Sequence, residues 1–423
     1  MKLPFGLTRL MALLVISLAL VGLAACGDDE ETTGGTTGGA FDGTIKIAQI
    51  ADDTGIAGGS PITASFKPGM EAAIRQINAA GGVKVGGKSY QFELINRDAR
   101  SDPTVALASA REMLDQKVLF VSLATFVWFD FAYQQLKDSA ITFMVLPQGL
   151  TLLQFEGAQA HPLLFSPVEM VLPILTGWAK EMKGVFPNIK RYGYLAEDNP
   201  LSRAVELAMA QTAKDAGLEY VGPEFAPLGS VDWSVQITNL KAKTPDLVYV
   251  LGGANASQVV KQAVDQGLAT YLQIPGFRPE DIGAVGNLRN TTIISVDFRQ
   301  PLYRNATPNN LVKDVQSLGT LPGGANLQTG FAISYYDWLH LLKQAIEKAG
   351  TVTDVKLIAQ AMPGQTYEGP FGTAVANPNH STSGPTGIIA ATASDWKVFV
   401  FDKVGDTTPS QTFTFKTADV LKP

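Results

Sequence analysis

Three segments in a row establish the fold class: the β-rich run TIKIAQI at 44–50, the helical run FKPGMEAAIRQINAA at 66–80, and the β-rich run QFELIN at 91–96. The helical run carries apolar side chains on one face, at Phe66, Met70, Ile74 and Ile77. Gly81-Gly82 stops it. A strand, an amphipathic helix and a second strand form a βαβ unit, so this order predicts an α/β protein with a parallel sheet.

The same alternation continues along the chain. It predicts further strands at 118–124, 142–146, 191–195, 247–251 and 398–402, and further helices at 202–216, 257–266 and 331–348. Asp102 and Pro103 occupy the cap and first-turn positions of another helix. Two Rossmann-like α/β lobes account for the series, and no fixed-period repeat is visible.

The composition excludes several protein classes. The 423 residues are two to three times the usual domain length, and 46% of them are hydrophobic, which is enough for a sizeable core. The net charge is -6 without a basic run, so nothing predicts binding to nucleic acid. One Cys and 3 His, with no Cys/His cluster, give neither a disulfide nor a zinc signature. We therefore expect no metal and no cofactor.

The amino terminus has the pattern of an export signal. A positively charged start precedes an apolar run at 10–23, which is short for a membrane span. The run ends in Leu23-Ala24-Ala25-Cys26, which resembles the bacterial lipobox, whose Cys is lipidated and becomes the first mature residue. The alternative is an ordinary signal peptide with a chance Cys. We predict a lipoprotein signal peptide at 1–25, lipidation of Cys26, and anchoring by several acyl chains.

The segment after the lipobox predicts a flexible tether at 26–43. It is composed of acids, Thr and Gly, which have little to bury and much backbone entropy to lose on ordering. We interpret its acids as solvated charges and not as a metal site.

One motif in the sequence points to nucleotide binding and is rejected. Residues 82–89, GVKVGGKS, fit the phosphate-loop pattern G-x-x-x-x-G-K-[ST]. A phosphate loop leaves a strand and enters a helix, so that free N–H groups at the helix start face the phosphates. Here the order is reversed, because the segment leaves a helix and enters the strand at 91–96. We expect a helix stop followed by a tight hairpin.

Several short motifs recur in a fixed order along the chain. They are IKIA at 45–48, EAAIRQINAAGG at 71–82, Arg97-Asp98 with Asp102-Pro103 behind it, PLLF at 162–165, FAISYYD at 331–337 and YEGPFG at 367–372. In order and spacing they resemble the leucine/isoleucine/valine-binding family of type I periplasmic solute-binding proteins. Members of this family deliver ligands to membrane ABC transporters. The resemblance covers residues 44 to about 402.

The resemblance implies two lobes that close on a ligand at the carboxyl ends of their strands. The first lobe would comprise 44–166 and 299–368, and the second 167–298 and 369–423. The chain would cross between the lobes near Ser166, Phe298 and Gly369.

The resemblance also places the ligand site in loops of both lobes. The first lobe would supply Asp53, Thr54, Thr125, Phe126, Trp128 and Gln148, and the second Glu197, Asp198, Asn199, Asn255 and Arg278. Some of these residues have a structural alternative. Asp53 and its neighbour Asp52 could hold an ammonium group or cap a helix. The aromatic side chains from 126 to 133 could line the pocket or pack against the sheet.

Departures from the family pattern bear on the ligand. Amino-acid binders usually hold the ligand carboxylate with a Ser or Thr pair and the ammonium with an acid on a late loop of the second lobe. Here Pro147-Gln148-Gly149-Leu150 lacks that pair, and Arg278 stands near the expected acid, two residues before Glu280. An arginine would bind a carboxylate with paired donors, whereas Arg278 could also be a solvated charge or a partner of Glu280.

The sequence thus predicts an exported, monomeric, lipid-anchored solute-binding protein of an ABC importer, held at the cell envelope in the periplasm or on the outer face of the cytoplasmic membrane. Its ligand would be an amino acid or an aromatic or aliphatic carboxylate, and its partner a membrane permease. No nucleophile is arranged around His161, His340 or His380, so we expect no enzyme activity. The alternatives are a ligand-sensing receptor of the same fold and a surface-anchored hydrolase.

Overall fold

A computed structural model of the chain describes residues 41–56, 58, 63, 66–125, 127–144, 152–169, 171–275, 277, 279–298, 330–369, 372–384 and 386–417. The predictions made for the signal peptide, most of the tether, Cys26, Phe126, Gln148 and Arg278 lie outside these residues.

The first sheet contains the strands β1 (Gly43–Ala51), β2 (Val83–Val85), β3 (Lys88–Asp98), β4 (Phe120–Ala124), β5 (Ile141–Phe143) and β6 (Leu164–Phe165). They lie in the order β2-β3-β1-β4-β5-β6. β2 runs antiparallel to β3, and the other neighbouring pairs are parallel. Since parallel neighbours need crossover connections, this topology follows from the alternation of strands and helices.

The second sheet contains the strands β7 (Arg191–Asp198), β8 (Glu219–Pro227), β9 (Leu247–Leu251), β10 (Tyr271–Pro275), β11 (Thr292–Phe298), β15 (Thr386–Ala391), β16 (Asp395–Phe401) and β17 (Gln411–Lys416). They lie in the order β17-β16-β15-β11-β10-β9-β7-β8. The five strands from β7 to β11 pair in parallel, and β15 to β17 extend the sheet in antiparallel fashion. A third, antiparallel sheet contains β12 (Thr366–Gly369), β13 (Gly372–Ala376) and β14 (Thr382–Ser383).

The described helices of seven or more residues are α1 (Phe66–Ala79), α2 (Pro103–Asp115), α3 (Phe129–Leu136), α4 (Val171–Val185), α5 (Pro200–Asp215), α6 (Ser234–Ala242), α7 (Ala256–Gln266), α8 (Pro279–Val285), α9 (Gly330–Ala349) and α10 (Val355–Ala361). Within the described part of the chain, none has both the length and the apolar character that a membrane span requires.

Local sequence signals set several of these boundaries. The carboxylate of Asp102 accepts the backbone N–H groups of Thr104 at 2.7 Å and Val105 at 3.3 Å, and Pro103 is the first residue of α2. Gly267 ends α7 with φ at +61°, in the left-handed conformation that glycine adopts without strain. The predicted start of α2 and the predicted end of α7 at residue 266 are confirmed.

The predicted hairpin is also confirmed. Val85 pairs with Lys88 across a two-residue turn, and Gly86 and Gly87 in that turn have φ of +57° and +77°. Positive φ at both central residues suits the turn that matches the twist of a two-residue hairpin. The glycines of the apparent phosphate loop therefore join β2 to β3 and do not begin a helix.

The sequence pattern did not indicate β8. Gly222 and Pro223 interrupt its apolar run, and the register against β7 shifts between Tyr192 and Tyr194. Proline has no N–H to donate to a neighbouring strand, so it is rare in a central strand, which has neighbours on both sides. An edge strand tolerates it, and β8 is the edge strand of the second sheet.

Close packing of two helices covers one face of the first sheet. A Cβ atom on Gly69 of α1 would lie 2.0 Å from the backbone oxygen of Ala332 in α9, so only glycine fits there without displacing the backbone. The rings of Phe66 and Tyr335 stack beside this crossing with centroids 4.5 Å apart. Residues from 66 to 79 and from 330 to 349 thus pack against each other although they are distant in sequence.

The backbone just after β6 runs beside the residues that lead from β13 into β14. The N–H of Ser166, just after β6, donates to the carbonyl of His380 at 2.8 Å, and the N–H of Thr382 donates to Val168 at 3.1 Å. The hydroxyl of Thr382 also donates to the carbonyl of Ser166 at 2.8 Å. The backbone near the first predicted crossing is therefore tied to residues 380–382.

Candidate functional site

The carboxyl ends of β1, β3 and β4 meet at one edge of the first sheet, around Asp52. This side chain is buried, and its Oδ1 accepts the N–H of Ser101 at 2.9 Å and the indole N–H of Trp128 at 2.5 Å. Its Oδ2 accepts the hydroxyl of Thr125 at 2.8 Å. Asp52 thereby links the loops that follow all three strands.

The loop after β1 is held to the end of β3. The N–H and the hydroxyl of Thr54 donate to the carboxylate of Asp98 at 3.2 and 2.5 Å, and Asn96 donates to Asp53 at 2.6 Å. Burial alone would raise the pKa of Asp98, but the hydrogen bonds from Thr54 and from the backbone of Arg100 lower it below its ordinary value. Asp98 is therefore an ionised anchor for this loop.

The polar groups of the loop after β4 form hydrogen bonds with other groups of the protein. Besides donating to Asp52, the hydroxyl of Thr125 accepts the N–H groups of Val127 at 2.9 Å and Trp128 at 3.2 Å. Trp128 has no exposed surface. Phe129 and Tyr133 in α3 are buried and stacked, with ring centroids 5.0 Å apart, as the packing alternative predicted.

In the second sheet, the carboxyl ends of β10, β9, β7 and β8 lie side by side and form the second of the two sheet edges that carry candidate residues. Glu197 lies near the end of β7 and is 5% exposed. Its Oε1 accepts the N–H of Gly229 at 3.3 Å, and a Cβ atom on Gly253 would lie 2.4 Å from its Oε2. Burial raises the pKa of Glu197 to about 7, and the hydrogen bond from Gly229 opposes this rise only in part. The loops after β8 and β9 thus enclose a carboxyl group that exchanges its proton near neutral pH.

The neighbours of Glu197 have structural partners of their own. Asp198 is exposed and forms a two-pronged pair with Arg203, with both N–O distances at 2.7 Å. The side chain of Asn199 accepts the N–H of Ser202 at 2.9 Å and caps α5. Asn255 donates to the carbonyl of Ser230 at 3.3 Å, which ties the loop after β9 to the loop after β8.

The structure brings forward residues that the sequence analysis did not select. Gly229 is the third residue of a turn closed by a 3.0 Å hydrogen bond from the N–H of Ser230 to the carbonyl of Pro227, and its φ is +78°. The sequence Pro-Leu-Gly-Ser is typical of a turn, but this turn was not predicted because the strand before it, β8, was not predicted. Across from it, the side chain of Ile56 lies against Gly229. The loop after β1 and the loop after β8 therefore touch at Ile56 and Gly229.

Other concave regions of the described chain lie away from these edges. A cavity of about 480 Å³ is lined by Lys137, Gln159, Pro162, Lys356, Pro363 and His380, among others, and one of about 530 Å³ by residues before β10 and β11. Neither includes a candidate ligand residue. Among the residues that the structure describes, no group of three or more His, Cys, Asp and Glu side chains could hold a metal ion.

Comparison with known proteins decides the family. The family model described as periplasmic binding protein matches residues 44–395. This chain belongs to the periplasmic binding protein family. The predicted resemblance to the leucine/isoleucine/valine-binding group is confirmed by a curated relative, the Leu/Ile/Val-binding protein homolog 3 of Brucella melitensis. It is 26% identical over 378 residues, which span 81% of this chain and 89% of the relative.

Solved structures of periplasmic binding proteins share the fold. The leucine-, isoleucine-, valine-, threonine- and alanine-binding protein of Brucella ovis, in a closed conformation, matches with a TM-score of 0.68 and 15% identity, over 90% of this chain and 97% of its own. A solute-binding protein of an ABC transporter from R. palustris, in complex with benzoate, matches with a TM-score of 0.66 and 17% identity, over 86% and 97%. The predicted fold class, an α/β protein of the type I periplasmic-binding fold, is confirmed.

Proposed function

We propose that this periplasmic binding protein captures a small organic solute between its two sheet edges and passes it to an ABC importer. The observation that carries the proposal is that the loops with Asp52 and Glu197 lie at the carboxyl ends of parallel strands in two sheets, and that Ile56 lies against Gly229 between them. In open α/β sheets, ligands bind at this end of the strands. The family membership supports the same conclusion.

The proposed mechanism is closure of two lobes. A ligand that touches both edges only in the closed form stabilises that form by its differential contacts. We assign 44–166 and 299–368 to one lobe and 167–298 and 369–423 to the other, with crossings near Ser166, Phe298 and Gly369. The backbone hydrogen bonds between residues 166–168 and 380–382 support the first of these crossings.

Binding without chemical conversion is part of the proposal. The polar groups of Asp52, Thr125 and Asn199 hold loops in place. We assign ligand contact to the loops that contain the candidate residues, with Glu197 as a polar group that reaches the ligand from the second edge. After incubation with the protein, mass spectrometry should recover the bound compound unchanged.

The proposed ligand is an amino acid or an aromatic or aliphatic carboxylate. One relative is named as a branched-chain amino acid binder, and a structural neighbour holds benzoate. The two ligand types make opposite demands on Glu197. An ammonium group would bind its ionised form, whereas a carboxylate would accept a hydrogen bond from its protonated form.

A thermal-shift panel tests this proposal. The purified protein is heated with leucine, isoleucine, valine, benzoate, 4-hydroxybenzoate or aliphatic carboxylates. A compound at about 100 times its dissociation constant should stabilise the protein by about 2.7 kcal/mol. Glu197→Gln should weaken an amine-bearing ligand and spare a carboxylate, and Asp215→Asn is the control because Asp215 is an exposed acid at the far end of α5. The ligand proposal fails if no compound on the panel shifts the melting temperature.

We further propose that the chain is exported and held at the cell envelope by lipid on Cys26, and that it acts as a monomer with a membrane permease as its partner. The apolar run at 10–23 and the motif ending in Cys26 support export and anchoring. The family membership supports the permease as partner.

A further inference from the structure

The loop after β1 presents Ile56 from a fixed backbone. Thr54 is bonded to Asp98 through both its N–H and its hydroxyl. A Cβ atom on Gly55, which has φ at +91°, would lie 2.1 Å from the carbonyl oxygen of Arg100, so the loop backbone packs directly on the backbone that follows β3. The position of Ile56 is therefore set before any contact with the second sheet.

The turn that Ile56 meets is fixed as well. The hydrogen bond from Ser230 to Pro227 closes it, and the N–H of Gly229 donates to Glu197. The carbonyl of Ser230 accepts the indole N–H of Trp233 at 2.8 Å and the side chain of Asn255 at 3.3 Å. Both partners are thus ordered by their own sheets, so bringing them together costs little conformational entropy.

The absence of a side chain at Gly229 leaves room for Ile56 to lie close against the turn. A Cβ atom there would lie 3.3 Å from Cγ1 and 3.4 Å from Cδ1 of Ile56, which is tighter than ordinary packing. Ile56 is 56% exposed, and the turn at Gly229 is one of the surfaces that cover the rest of this apolar side chain.

We propose that Ile56 and Gly229 form a contact between the two sheet edges that favours the closed form in the absence of solute, and thereby raises the affinity for solute. The apparent dissociation constant of a protein that binds only when closed equals the intrinsic constant divided by the closed fraction. A contact that exists only in the closed form therefore acts on every ligand alike. The inference rests on the lobe closure of the proposed function, but it needs no knowledge of the ligand.

The test measures closure without ligand. Dyes are attached through genetically encoded azido amino acids at Arg111 in α2 and Lys214 in α5, both exposed, in the full chain in detergent micelles. Single-molecule energy transfer then gives the ratio of closed to open molecules. Ile56→Ser should lower this ratio about three- to ten-fold, since it removes one side chain's apolar contact. Leu207→Ser is the matched control, because Leu207 is an aliphatic residue of α5 that is 73% exposed, and it should leave the ratio unchanged.

A second variant keeps the test independent of Ile56. Gly229→Asn retains a residue that accepts positive φ in this type of turn, yet places a Cβ atom against Ile56, so it should lower the closed fraction as well. The proposal is overturned if Ile56→Ser and Gly229→Asn both give the distribution of the wild type. Isoleucine and benzoate are added to the wild type in a separate measurement. If neither changes the distribution, the ligand proposal is weakened, while the comparison of unliganded variants still decides the contact.

Discussion

Glu197 is a carboxyl group that folding places among backbone groups of two glycine loops, where its ionised form is poorly solvated. In the described contacts its hydrogen-bond partner is the N–H of Gly229. Asp52, at the other sheet edge, differs because it accepts three hydrogen bonds from the protein. At the scale of single residues, the two sheet edges thus carry two buried acids, one with several hydrogen-bond donors and one with few.

The raised pKa of Glu197 predicts a dependence of stability on pH. Between its ordinary pKa of 4.5 and its folded pKa of about 7, the unfolded chain has released a proton that the folded chain keeps. The free energy of unfolding therefore falls as the pH rises through this interval. Glu197→Gln has no proton to lose at this position. Its free energy of unfolding should therefore rise relative to that of the wild type as the pH increases through the interval, by up to about 3 kcal/mol, and this difference should level off above pH 7.

Urea unfolding at about pH 5, 6, 7 and 8 measures this difference. Glu181 also contributes to the pH dependence of the wild type, because it is buried, accepts the N–H of Gly405, and has its pKa raised to about 8 by burial. This contribution is the same in both proteins, so it cancels in their difference. Asp198→Asn is the control. The hydrogen bond from Arg203 lowers the pKa of Asp198, so its difference from the wild type should stay constant over this range. Parallel curves for Glu197→Gln and the wild type would contradict the assignment.

At the scale of elements, Asp52 connects β1 with the backbone after β3 and with the segment between β4 and α3. Asp52→Ala would leave the indole N–H of Trp128 and the hydroxyl of Thr125 buried without this acceptor. We expect a loss of about 3–5 kcal/mol in the free energy of unfolding. Asp53→Ala, one residue along, removes a single hydrogen bond at an exposed position and should cost about 1 kcal/mol or less.

Chemical denaturation of the two variants in parallel measures this prediction. Equal, small losses would show that the connection through Asp52 does not stabilise the fold. Asp52→Asn serves as an intermediate variant, because it keeps one acceptor oxygen and should lose less than Asp52→Ala.

The elements that the sequence predicted correctly are those with a local cause. The cap at Asp102 and the hairpin at Gly86-Gly87 are fixed by residues adjacent in sequence. β8 was missed because Pro223 is acceptable only through its place at a sheet edge, which depends on the whole sheet. The role of Thr125 shows the same limit. Its position in a loop was predicted, but the direction of its hydroxyl depends on Asp52, 73 residues away.

At the scale of the whole molecule, strand and helix periodicities add up over hundreds of residues, so they predicted two sheets with parallel strands, and the resemblance of the ordered motifs predicted the family. The antiparallel pairing of β15 to β17 in the second sheet was not predicted. The pairing of the two edges could not be predicted, because Ile56 and Gly229 have no periodic signal and meet only after both sheets have formed. The candidate ligand residues were chosen as loops at the carboxyl ends. The structure gives several of them, such as Asp198 and Asn199, hydrogen-bond partners in the adjacent helix α5.

The proposed lipid anchor also acts on the whole molecule. Cys26→Ser should abolish incorporation of a labelled fatty acid and move the protein from the membrane fraction to the soluble fraction, because several acyl chains are needed for stable attachment. Thr33→Ser, in the same segment, should leave both properties unchanged. Retention of Cys26→Ser in the membrane fraction would contradict the proposed anchor.

The crossing of α1 and α9 limits how this sequence can diverge during evolution. A methyl group at position 69 would collide with the backbone of Ala332, and neither a new rotamer nor a nearby substitution can relieve a clash with backbone. Descendants that keep this crossing should therefore retain glycine at 69, whereas Leu207, which faces solvent, can be exchanged for most residues. A lineage that loses the glycine must move the two helices apart, and with them the sheet face that they cover.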